Sequence, residues 1–63
     1  MSKENRIKLD TMPFDKKFFT PDGEQSCHAT GYAVQFDNET TPIGVPLYWN
    51  EYKDSEGRLY YGN

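Results

Sequence analysis

Cys27-His28-Ala29-Thr30-Gly31-Tyr32-Ala33-Val34-Gln35-Phe36 alternates without a break between two kinds of side chain. His28, Thr30, Tyr32, Val34 and Phe36 fall on one side of an extended chain, with Cys27, Ala29, Gly31, Ala33 and Gln35 on the other. A period of two is the period of a β-strand. The second side is made of small residues, so another element can pack closely over it.

Reading outward, turn signals bound this strand at both ends. Upstream, Lys17-Phe18-Phe19-Thr20 runs into Pro21-Asp22-Gly23. Proline presets φ for the first turn position, aspartate can bond back to the chain, and glycine accepts positive φ. That predicts a hairpin. Downstream, Asp37-Asn38-Glu39-Thr40 makes the next turn, and Ile43, Val45, Leu47 and Trp49 then alternate. Pro42 and Pro46 each remove a ladder donor, so 41–46 reads as an edge strand or an extended connection. The better strand starts near Leu47. Tyr52-Lys53 and Arg58-Leu59-Tyr60-Tyr61 flank Asp54-Ser55-Glu56-Gly57, a loop with glycine placed for a left-handed position. Near the N-terminus, Arg6-Ile7-Lys8-Leu9-Asp10 alternates briefly. Only Pro13 to Phe18 could form a helical turn, with proline first and Phe14 facing Phe18. The expected fold is mainly β: one small domain over 6–63, an antiparallel meander of four to five strands or a small closed barrel. At most one short helical turn is expected near 13–18, and residues 1–5 are expected to be disordered.

Size narrows the chemistry. A domain of 63 residues buries only about 60% of its unfolded surface, and chains this small commonly need reinforcement. One cysteine excludes an internal disulfide, and Cys27 with His28 are the only soft ligands, which excludes a zinc cluster. Neighbours on a strand point to opposite faces, so Cys27 and His28 cannot act as nucleophile and base. His28 has no second imidazole to relay with. The carboxylate pairs Asp22/Glu24 and Asp37/Glu39 lie in turns, where solvent keeps both ionised and unsuited to acid catalysis. No glycine-rich phosphate loop and no calcium-loop spacing is present. The chain is therefore expected to be no enzyme, with no catalytic residues, no cofactor and no metal.

The net charge of −3 is unevenly spread. Residues 1–17 hold Lys3, Arg6, Lys8, Lys16 and Lys17 against Glu4, Asp10 and Asp15, whereas residues 18–52 contain no lysine or arginine and five acids. Duplex DNA binding needs cations to displace counterions, and the middle of the chain offers none. A DNA-mimicking inhibitor would need denser acid than five residues over that length. No secretory signal and no membrane-length apolar run is present, and a lone thiol fits a reducing compartment. We expect a cytoplasmic protein that does not engage membranes.

Aromatic residues carry the strongest functional signal. Tyr48, Trp49, Tyr52, Tyr60 and Tyr61 crowd the C-terminal hairpin. Alternation sends some of them to each face, so one core cannot absorb all five. Tyrosine and tryptophan also dominate binding hot spots. The stretch Trp49 to Tyr61 resembles the first hairpin of a WW domain, in which a tryptophan precedes a turn ending Gly-Arg and two tyrosines follow. The third strand and second tryptophan of that family do not follow, so its proline-binding groove is not implied. Phe18 to Gly23 is similar to a short stretch of cold-shock domains, but that family's glycine-spaced aromatic motif is absent.

The expected function is that of a small interaction protein that binds a host protein or enzyme and modulates or inhibits it, as phage and mobile-element accessory proteins do. The expected contacts are Trp49, Tyr52, Tyr60 and Tyr61 as anchors, with Glu39 and Glu51 as flanking charges for a basic partner surface. The alternative is a small β-barrel binding single-stranded nucleic acid. It requires Arg6, Lys8, Lys16, Lys17, Lys53 and Arg58 to converge beside the aromatic residues. A homo-oligomer is compatible with either reading.

Overall fold

The computed structural model describes residues 4–63. Strands β1 (Glu4–Lys8), β2 (Lys16–Thr20), β3 (Gly23–Phe36), β4 (Trp49–Lys53) and β5 (Leu59–Gly62) form one open antiparallel sheet. The order is β1-β3-β4-β5, and β2 pairs with β3 as well. Of the two expected architectures, the open meander is the one adopted.

β3 organises everything else because it is long enough to serve three partners. Its first residues pair with β2, from Thr20 opposite Gly23 to Lys16 opposite Cys27. Its last residues pair with β1, from Lys8 opposite Tyr32 to Glu4 opposite Phe36. β4 lies against Ala29 through Tyr52 and against Val34 through Trp49, and the register shifts between Ala29 and Ala33. Gly31 sits inside that shift at φ +91°. A bulge bends and twists the strand that carries it, and a residue with a Cβ rarely adopts this φ. The bend coincides with the point where β3 changes partners.

Phe18 of β2 meets Tyr52 edge-on at 5.3 Å between ring centres and stacks on Tyr60 at 5.2 Å. Tyr52, Cys27 and Ala33 are buried, with Gln35 beside them on the same side of β3. The small side of β3 is thus the covered side, as its composition predicts. At the far end of this layer, Gln35 Oε1 accepts from Asn5 Nδ2 at 2.8 Å, and its Nε2 donates to the Glu39 carbonyl at 2.7 Å. The buried polar residues pose no unpaired group: every buried side-chain nitrogen or oxygen among the described residues has a hydrogen-bond partner.

Three local expectations are corrected. Residues 13–18 form no helical turn: Pro13 to Asp15 is irregular, and Lys16 onward is strand β2. With only one proline-led turn and no apolar period of 3.6, pairing to β3 outcompetes it. Residues 41–46 form a loop closed by an isolated bridge between Thr40 and Pro46, with Thr41 N donating to the Val45 carbonyl at 2.8 Å. The two prolines hold this stretch out of the ladder. Glu4 and Asn5, expected in a disordered N-terminus, belong to β1, while residues 1–3 lie outside the described residues.

Candidate functional site

In an antiparallel ladder, residues directly opposite one another project from the same face. Arg6 opposite Val34 opposite Trp49 therefore defines one face, extended by Lys8 opposite Tyr32, Glu51 opposite Tyr61, and Lys53 opposite Leu59. The other face carries Ala33, Asn50, Tyr52 and Tyr60, and Phe18 of the β2 hairpin covers it. No strand covers the first face among the described residues. Tyr32, Phe36, Trp49 and Tyr61 are half-buried or exposed there, over a buried Val34.

The rings on this open face are held in place. Phe36 and Tyr61 meet edge to face at 5.0 Å and 88°. The Arg6 guanidinium lies 3.9 Å above the Tyr32 ring centre, a cation–π contact. Trp49 Nε1 donates to Glu39 Oε1 at 2.8 Å. Glu51 forms the centre. It is 3% exposed, and its Oε1 accepts from Arg6 Nη2 and from Thr30 Oγ1, both at 2.8 Å. The Tyr61 hydroxyl bonds it as well. Burial pushes the Glu51 carboxyl up, but the hydrogen bonds of Arg6, Thr30 and Tyr61 outweigh it and hold the group below its ordinary range.

Asp54 locks the turn that carries β5. Its Oδ1 accepts from the backbone N–H groups of Glu56 at 2.8 Å and Arg58 at 2.9 Å, and its Oδ2 accepts from the Tyr60 hydroxyl at 3.0 Å. Gly57 has φ +84°, the left-handed position its place in the loop predicts. Burial raises the Asp54 carboxyl, but the bonds to Arg58, Tyr60 and Glu56 leave it lowered.

The residues singled out from sequence separate accordingly. Trp49 and Tyr61 share the open face, with Glu39 at the Trp49 edge. Tyr52 does not belong to a contact surface: at 2% exposed it is core. Tyr60 points to the covered face, tied to Phe18 and Asp54. Glu51 is a buried ion-pair partner rather than a flanking charge, because Arg6 and Thr30 converge on it. Tyr32, Phe36 and Arg6 are the face's additional members. The alternation of β3 already placed Tyr32 and Phe36 together, whereas the pairing of Arg6 with β3 depends on a long-range register that composition does not encode.

The acids and bases of the open face differ in depth and position. Glu51 is interior, Glu39 is exposed at the edge where the indole bonds it, Glu4 stands opposite Phe36, and Lys8, Lys53 and half of the Arg6 side chain reach solvent. Lys16 lies on the covered face, where its Cε approaches Gly62, so the six cations do not converge on one surface. His28 Nδ1 is 3.0 Å from Asp15 Oδ2, an exposed pair on the opposite side of β3 from buried Cys27. Among the described residues, no group of three or more His, Cys, Asp or Glu is arranged to hold a metal ion, and no helix is long and apolar enough to cross a membrane. No protein family, curated protein or solved structure matches this chain.

Proposed function

We propose that this is a non-enzymatic interaction protein that docks a partner protein on the open sheet face, and that such docking modulates the partner. The observation that carries the reading is a sheet face that no strand covers among the described residues, on which Tyr32, Phe36, Trp49 and Tyr61 gather with Arg6. Aromatic residues and arginine are the types enriched in interface cores. Their mutual contacts hold the rings in place before binding, which reduces the entropy lost on association. The partner's charge differs from the sequence expectation. With Glu51 interior, the solvent-facing charges at the Tyr32 end of the face are Arg6, Lys8 and Lys53, which complement an acidic surface, while Glu4 stands opposite Phe36 and Glu39 beside Trp49 at the other end. A phage or mobile-element accessory protein acting on a host enzyme fits this description.

One observation favours the second reading, single-stranded nucleic acid. Arg6, Lys8 and Lys53 do share the aromatic face. Against it, Arg6 already covers the Tyr32 ring and the Phe36 and Tyr61 rings pack on each other, which leaves fewer ring faces for bases. The experiment is binding to captured partners with Lys8→Glu/Lys53→Glu beside Phe14→Ser. The first variant reverses charge on the proposed face; the second removes an exposed ring beside Asn50 and Tyr52 of the opposite face. Loss of a nuclease-resistant protein partner in the first variant only is the expected result. Equal loss in both would overturn the site. A partner that vanishes with nuclease, and binding with a steep salt slope, would instead establish the nucleic-acid reading.

A further inference from the structure

β5 ends the sheet, and its outer edge, though short, carries no charge, proline or bulge, three of the devices by which natural edges resist strand addition. β1 carries Arg6 and Lys8, and β2 opens with Lys16-Lys17 and is followed by Pro21. β5 reads Leu59-Tyr60-Tyr61-Gly62, with neither charge nor proline, and pairs with β4 in unbroken register. No strand pairs beyond it among the described residues. Phe18 and Lys16 do approach Gly62, but at its Cβ position, hence from the covered face rather than along the edge.

We propose that a second copy of this chain pairs antiparallel with β5 across a two-fold axis, so that the sheet runs from one protomer into the next. A two-fold axis normal to the sheet keeps like faces together only when residues of the same parity meet. Tyr60 opposite Tyr60, with Leu59 of each copy opposite Tyr61 of the other, meets that condition. Leu59 is 47% exposed and Tyr61 36%, and in this register each covers the other. Self-complementarity distinguishes β5 from the other end of the sheet. The same operation centred on β1 would set Arg6 against Arg6, whereas β5 brings no like charges together. With only four apolar residues fully buried among the described ones, the domain also gains from the added burial. The pairing joins the open aromatic faces of the two copies into one, since Tyr61 lies on that face at the edge. A four-residue edge is small for an interface, so assembly is reversible and depends on concentration.

Light scattering on the full chain across a concentration series tests this. The expected mass rises from the 7.3 kDa of one chain toward twice that value, and Leu59→Lys moves the midpoint at least tenfold higher while the far-ultraviolet spectrum stays unchanged. Amide hydrogen exchange of the wild type gives a second measure that needs no variant. Residues 59–62 become slower to exchange as concentration rises, and β1 does not. A constant single-chain mass overturns the proposal, as does a dimer in which β5 exchange is independent of concentration. A folded Leu59→Lys protein that dimerises as the wild type does overturns it equally.

Discussion

Glu51 is ionised inside the sheet because three donors reach it from three different strands or their bends: Arg6, Thr30 and Tyr61. Its carboxyl is lowered relative to the unfolded chain, so it contributes stability at any pH above the ordinary carboxylate range. That contribution is lost as pH falls through the lower folded value. Thermal melts should therefore show the wild type losing Tm below about pH 4.3, with a shallower loss in Glu51→Gln. Parallel curves for the two proteins would show that Glu51 has no part in acid unfolding. Cys27 is the converse case. It is 1% exposed, and burial pushes its thiol up, so both access and thiolate content are low. Iodoacetamide should leave the native protein unmodified over hours and label it fully in denaturant. Cys27 was legible from sequence as a small buried filler, since every neighbour on its side of β3 is small or amide-bearing. Glu51 was not, because alternation gives the face of a residue but not what stands opposite, and Arg6 is 45 positions away.

At the scale of elements, β3 and its two turns follow from local chemistry. Pro21-Asp22-Gly23 forms a turn in which Thr20 Oγ1 donates to the Gly23 carbonyl at 2.8 Å, and Asp37 and Asn38 both take positive φ. Asp and Asn tolerate that region better than other side chains, which is why composition alone identified the second turn. The bulge at Gly31 was not legible: glycine read there simply as one more small residue. Gly31→Ala should destabilise by about 1–3 kcal/mol through backbone strain, because the added Cβ finds only ordinary contact with Met12, 3.6 Å away. Chemical denaturation measures it. A neutral result would mean that the bend does not need a left-handed residue. In the β4–β5 hairpin, Asp54→Ala removes the acceptor for two backbone donors and the Tyr60 hydroxyl. Amide exchange of 59–62 should then accelerate more than that of β1, and a uniform acceleration would contradict a local role for Asp54. Strand β2 is the expected first arm of the Pro21–Gly23 hairpin, but which of its two phenylalanines turns inward was not legible. Lys16-Lys17-Phe18-Phe19 has no strict alternation of polarity, and only the pairing to β3 separates buried-side Phe18 from Phe19, which is 84% exposed.

For the whole molecule, the sheet has one face on which Phe18 of β2 packs and one face that no strand covers among the described residues. The aromatic excess divides between them: Phe18, Tyr52 and Tyr60 hold the fold, and Tyr32, Phe36, Trp49 and Tyr61 remain on the open face. Sequence reading found the excess and anticipated a division, yet the C-terminal hairpin alone could not reveal that Tyr32, Phe36 and Arg6 complete the surface. Charge shows the same limit. The chain is acidic in total, while the Tyr32 end of the open face presents Arg6, Lys8 and Lys53 once Glu51 is buried, with Glu4 and Glu39 at the Phe36 and Trp49 end. The central claim is that this face docks an acidic partner protein. The most direct measurement compares capture from host-cell lysate by the wild type and by Lys8→Glu/Lys53→Glu, both nuclease-treated and both verified as folded. The predicted result is one stoichiometric protein that survives nuclease with the wild type, falls at least tenfold with the charge-reversed variant, and weakens as salt screens the pair. Undiminished capture by the folded variant would contradict the claim.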